Sequence, residues 1–185
     1  MGYPNPRGKD FLPELPNRQA LKEKKPQKQM KIGGILSKLK SSQAYKKFIE
    51  KFPDTHFYAA FIIFEKNKEP QVQLDFYLPS QEKIASFEEP FEKFTIHEDK
   101  ISPQKKQSEK INPEIDEVWK SAEILIKNRS PNFKLSKIIA VLSNGTWSLT
   151  CIDGFLGIIK IKINSEDGKE KSFEKSSILN YLKKS

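Results

Sequence analysis

The chain alternates between helical and strand periods of apolar residues, and the alternation divides it into elements. "SSQAYKKFIEKFP" puts Tyr45, Phe48, Ile49 and Phe52 at i, i+3, i+4 and i+7, one face of a helix. Ser41 or Ser42 can cap that helix, and Pro53 helps to stop it. The preceding "KIGGILSKLK" predicts a further short turn of helix, pivoting at Gly33 and Gly34. "HFYAAFIIFE" is apolar almost throughout and β-rich, the pattern of a central strand. "QVQLDFYL" alternates cleanly, with Val72, Leu74, Phe76 and Leu78 on one face and Gln71, Gln73, Asp75 and Tyr77 on the other. That is a half-buried antiparallel strand with its second face in solvent. Shorter β signals follow in "IASF" and "FEKFTI".

A second helix is predicted from Asn112 to Lys127, with Asn112 as cap and Pro113 at its first position. Glu114, Asp116 and Glu117 suit the positive end of its dipole, and Lys127 and Arg129 the negative end. Ile115, Val118, Trp119, Ala122, Leu125 and Ile126 recur with helical period. Three strands follow: "LSKIIAVL", "TWSLTCI" and "LGIIKIKI". Asn144-Gly145 joins the first two as a two-residue hairpin, and Asp153-Gly154 begins the next connection. Trp147, Leu149 and Cys151 are in phase, as are Ile159, Ile161 and Ile163, which leaves Lys160 and Lys162 on the opposite face. "SSILNYLKKS" reads as a short helix or an extended arm.

The order helix, strand, strand, strand therefore occurs twice. "YLPSQEKIASFEE" and "KINSEDGKEKSFEK" echo each other when one residue is inserted, a hint of internal duplication. The fold class is α+β: two helix-plus-antiparallel-meander units, whose sheets pack on or continue each other, with both helices on one face. Residues 1–34 form an extended, Pro- and Lys-rich arm. Residues 35–100 form the first unit, 101–111 a polar linker, and 112–185 the second unit with its C-terminal helix or arm. Prolines at positions 4, 6, 13, 16 and 26 oppose both helix and strand in the arm.

Trp147-Ser-Leu-Thr, a turn, and then "GIIKIKINSEDGK" resemble the C-terminal hairpin of PepSY-type domains. That family pairs a helix with an antiparallel meander closed by Asp-x-x-Thr-Gly-Lys. Here the closing turn reads Asn164-Ser165-Glu166-Asp167-Gly168-Lys169, so Asn164 and Asp167 depart from the pattern. The resemblance covers residues 112–173 and makes residues 35–100 a diverged second copy. It implies a cystatin-like, non-catalytic module; secreted PepSY domains are thought to bind or restrain peptidases. Asp167-Gly168 itself reads most simply as a turn.

Composition narrows the function classes. The chain has 185 residues, a net charge of +9 and one cysteine, so no intramolecular disulfide is available. Apolar runs stay below the roughly 18 residues that span a bilayer. "MGYPNPRGKDFLPELPNRQ" lacks a signal-peptide core, and Pro6 stands where myristoylation wants Ser or Thr. These features predict a cytoplasmic protein without membrane contact.

No catalytic constellation is visible in the sequence, and neither a cofactor nor a metal is implied. His56 and His97 are far apart, each at the end of a predicted strand. His97-Glu98-Asp99 reads as a solvated strand end, and Cys151 as a buried, unreactive thiol. The leading expectation is a non-enzymatic binding or regulatory module that recognises a protein or peptide through its sheet face or edge. Tyr58, Tyr77, Lys160 and Lys162 are the exposed contacts on that face. The alternative is an RNA- or ribosome-associated protein anchored by Arg7, Lys9, Arg18, Lys22, Lys24, Lys25, Lys28 and Lys31 along phosphates. A subunit of a larger assembly fits the same arm.

Overall fold

The computed structural model describes residues 30–65, 68–99, 101–102, 104–112 and 114–177. Eight antiparallel strands form one sheet. In chain order the elements are α1 (Ile32–Ser41), α2 (Gln43–Lys51), β1 (His56–Glu65), β2 (Gln71–Leu78), β3 (Lys83–Glu88) and β4 (Phe94–Ile96), then α3 (Ile115–Arg129), β5 (Leu135–Ser143), β6 (Thr146–Asp153), β7 (Gly157–Asn164) and β8 (Glu170–Ser177). The strand order is β4-β3-β2-β1-β5-β6-β7-β8. Each half runs outward from the centre as a four-strand meander, and the halves meet where β1 pairs antiparallel with β5.

One face of this sheet carries the core. The register aligns Phe57, Ala60 and Ile62 with Phe76, Leu74 and Val72 of β2. On the other side it aligns Ala60 and Ile62 with Leu142 and Ala140 of β5, which meet Trp147 and Leu149 of β6. Ile163 and Ile161 of β7 complete those rows. All of these side chains belong to a single buried cluster that also contains Ile32, Leu36, Leu39 and Phe48 from α1 and α2 and Ile115, Val118, Ala122 and Ile126 from α3. All three helices thus cover the same face. Phe48 lies at the centre of an aromatic group, 5.1 Å from the rings of both Phe87 and Phe94 and 6.0 Å from Phe76.

Capping explains the helix boundaries. The Ser42 hydroxyl accepts the Tyr45 amide at 3.1 Å and starts α2. α1 is a full helix rather than a short turn, and it takes in Ile32–Gly34 at the end of the predicted arm, with Lys31 as its N-cap. Its two glycines cost helix stability, and burial of Ile32, Leu36 and Leu39 at 2% exposure or less offsets this. α3 begins at Ile115, not at Asn112–Pro113: Glu114 is the cap, in a capping box with Glu117. The Glu114 carboxylate also accepts the amide of Ile32 at 3.0 Å, and Asp116 accepts that of Met30 at 2.9 Å. One carboxylate therefore serves the first turns of two helices, where their dipoles favour negative charge. At the other end of α3, Arg129 holds Glu170 through two bonds of 2.7 and 2.8 Å and stacks over Phe173 at 4.9 Å, fixing the helix to β8.

Other expectations are corrected. Each half has four strands, because "FTI" and "EKSFEKSS" both pair. Ser176 and Ser177 belong to β8 rather than to a terminal helix, and residues 178–185 lie outside the described residues. The two echoing segments fall on β2–β3 and on β7–β8, one strand out of step for a duplication of the halves. The predicted linker is a strap. Its described residues run from His97 along one end of the sheet to Glu114, held by Ile101 N to Glu82 O (2.8 Å), Gln107 N to Phe57 O (2.9 Å) and Asn112 N to Ser165 O (2.9 Å). The Asn144-Gly145 turn takes φ of 48° and 67°, as a two-residue hairpin of this hand requires, and Gly168 takes 71° in the β7–β8 turn.

Replacing Phe48 with Ala should cost about 3–5 kcal/mol in urea unfolding, and a loss below about 1 kcal/mol would show that this ring is not central. Glu114→Ala should cost about 1–2 kcal/mol, more than Glu114→Gln, which keeps an acceptor but loses the charge. Equal losses for the two variants would mean that charge at the helix ends contributes nothing.

Candidate functional site

Among the described residues, no helix packs on the second face of the sheet. Antiparallel sheets with one wet face normally alternate apolar inward and polar outward. β1 and β5 depart from that rule, being apolar on both faces. On the open face Phe61 pairs with Val141 and Ile63 with Ile139, and all four remain partly exposed. Continuing outward, Val141 meets Ser148 and Ile139 meets Thr150, and these meet Lys162 and Lys160. A third row places Lys137 against Ile152 and Ile152 against Ile158. The open face therefore has an apolar centre at the β1–β5 seam with a lysine-bearing flank.

The Ile152–Ile158 pair leads directly into the β6–β7 turn. Phe155 at its tip is 79% exposed and Leu156 is 47% exposed. Asp153 Oδ1 accepts the amides of Phe155 (2.8 Å) and Gly157 (2.7 Å) and so holds the turn. Leu156 sits at a φ of 64°, costly for a branched side chain. A Cβ on Gly157 would stand 2.5 Å from Asp153 Oδ2, so a larger residue there would have to displace the carboxylate that holds the turn. Sequence reasoning saw only the start of this connection; "GFLG" between two strands was the available signal.

On the opposite flank the register gathers a polar cluster that sequence spacing does not reveal. Asp75 of β2 faces Ser86 of β3. The Ser86 hydroxyl donates to Asp75 Oδ1 at 2.6 Å and lies 2.8 Å from His97 Nε2. Gln73 Nε2 donates to the same Asp75 oxygen at 2.8 Å. The Ser86 hydroxyl thus joins Asp75 to His97 in a relay of hydrogen bonds, in which the role of His97 Nε2 follows its tautomer. Burial pushes the Asp75 carboxyl above its ordinary value, while Ser86, Gln73 and the nearby His97 pull it back.

The predicted contacts divide. Lys160 and Lys162 are exposed on the open face, whereas Tyr58 is half-buried at a bulge in β1. Tyr77 is a correction, being only 3% exposed. The His56 ring lies 5.5 Å from it and reaches the Gln104 carbonyl of the strap at 3.1 Å, so the strap covers this corner. Of the predicted polyanion contacts only Lys31 is described, exposed just before α1; Arg7, Lys9, Arg18, Lys22, Lys24, Lys25 and Lys28 lie outside the described residues. Cys151 is buried, and burial pushes its thiol up to about 12. Among the described residues no group of three or more His, Cys, Asp or Glu could hold a metal, and no helix is long and apolar enough to cross a membrane.

A raised carboxyl pKa favours the folded state when protonated. That contribution is complete below the ordinary value of 3.8 and is lost as pH rises through the raised value. Asp75→Asn, neutral at every pH, should therefore melt higher than the parent at pH 7, with the gap closing toward pH 4; a lower melting point at pH 7 would mean that the relay outweighs desolvation. Cys151 should resist a thiol reagent at pH 8 until urea unfolds the chain, and prompt labelling of the folded protein would contradict its burial.

No family model matches the chain, and no curated protein sequence matches it. A solved protein of Clostridium difficile 630, described as a candidate lipoprotein, is similar over 72% of this chain and 90% of its own, at 15% identity and a TM-score of 0.42.

Proposed function

We propose that this protein is a non-enzymatic binding module that holds an extended protein or peptide segment on the open face of its sheet. The carrying observation is the partly exposed apolar centre formed by Phe61, Ile63, Ile139 and Val141, on which no helix packs among the described residues, in strands that would otherwise show polar side chains to water. The exposed Phe155-Leu156 tip extends that surface, and Lys162 at its flank suits an occupant with acidic residues beside its apolar ones. Two outward-running meanders support reading each half as a PepSY-like unit, and the chemistry suits a cytoplasmic setting. The basic residues from Arg7 to Lys31 would carry any RNA contact separately.

Site-specific photocrosslinking in cells tests this reading. A crosslinker at Val141 or Thr150 should trap one discrete protein or peptide, resistant to nuclease, while one at Glu123, exposed on α3, should not. Introducing Ile139→Lys beside the crosslinker should abolish the product. Equal trapping from Glu123, or a product that persists with Ile139→Lys, would overturn the open-face reading.

A further inference from the structure

The strap creates a second, chemically different site at the end of the sheet. A cleft of about 560 Å³ lies between the strap, the β5–β6 turn and the β7–β8 turn. That volume falls within the range of about 300–1,000 Å³ typical of small-molecule sites. Every residue lining it is polar or glycine, with no aromatic or aliphatic side chain. Lys105, Lys106 and Lys110 supply three positive charges, and Glu166 supplies the single negative one. No carboxylate among the described residues pairs with those lysines, although six other Lys or Arg side chains are paired. Asn144 and Ser165 add amide and hydroxyl groups.

The frame of the cleft is fixed before any ligand arrives. Gln107 is 2% exposed, its backbone amide bonded to Phe57 O at 2.9 Å and its side-chain oxygen accepting Gly145 N at 2.9 Å. Ser165 N bonds to Gly145 O at 3.0 Å, and Asn112 N bonds to Ser165 O at 2.9 Å. Strap and both turns are thus joined by hydrogen bonds, so binding orders only lysine side chains.

From this we infer that the strap cleft is a binding site for a compact phosphate-bearing anion, either a phosphorylated sugar or a short polyphosphate. Unpaired lysines on a rigid polar wall meet phosphate oxygens with charge-assisted bonds. The lack of any aromatic surface disfavours a nucleobase, which would find nothing to stack on. The site is separate from the open face, so its failure leaves the peptide-binding reading untouched.

Calorimetric titration of the full chain with inorganic tripolyphosphate and with fructose 1,6-bisphosphate tests this. At least one should bind at one per chain, and whichever binds tighter identifies the source of the phosphate. The triple variant Lys105→Ala/Lys106→Ala/Lys110→Ala should weaken binding roughly tenfold or more, equivalent to about 1.4 kcal/mol or more. Glu166→Gln should tighten it about two- to fivefold by removing a like charge, and Lys47→Ala on α2 should leave it within about twofold. Absence of binding by both probes, or equal weakening by Lys47→Ala, would overturn the site. An oligonucleotide that binds tighter than both probes through the same lysines would also overturn it, assigning them to a nucleic-acid surface.

Discussion

The pairing of β1 with β5 governs the rest of the molecule. It turns two four-strand meanders into one sheet and places two strands where neither has an edge. Because both halves then share one core face, α1, α2 and α3 all lie on the same side, and a single cluster runs from Phe48 to Ile163. The same pairing puts Phe61 beside Val141 and Ile63 beside Ile139 on the other side, where no helix among the described residues covers them. Core and candidate surface are two faces of one seam.

The remaining features adapt to that arrangement. The first meander ends at the outer strand β4, and the chain then crosses toward the β7–β8 side before α3 begins. The strap makes that journey, bonded in turn to the start of β3, the start of β1 and the β7–β8 turn. In doing so it bonds to His56, whose ring packs against buried Tyr77, and it builds the polar cleft. Glu114, where the strap ends, then joins α1 to α3 through their first-turn amides. Buried Asp75 is the one charged group the sheet encloses among its described residues, and its partners Ser86 and His97 come from the next strand and from the start of the strap.

Much of this fold was legible wherever burial imposes a period. The near-continuous apolar run of residues 56–65 announced a central strand, the 3.6-residue spacing announced α2 and α3, and Asn144-Gly145 announced its turn. Elements stabilised from outside were hidden. β8 has only Phe173 as an apolar contact and exists because β7 offers it an edge. α1 carries two glycines that argue against a helix, and tertiary burial decides the matter. The strap is polar because its bonds are mostly backbone bonds, which leave no pattern in the sequence. Asp75, Ser86 and His97 are 11 residues or more apart, and only strand register brings them together. Tyr77 read as exposed because alternation reports which face a residue occupies, not whether another segment covers that face.

The most direct test of the shared seam is native-state hydrogen exchange of the backbone amides. If one cooperative sheet is built on the β1–β5 pairing, the amides that β1 and β5 exchange across the seam should be among the slowest, opening only with global unfolding, at the same free energy as the inner amides of β2 and β6. Exchange of the seam amides at a markedly lower free energy than those of β2 and β6 would mean that the halves are separate folding units that merely touch, and would contradict a single core with a single open face.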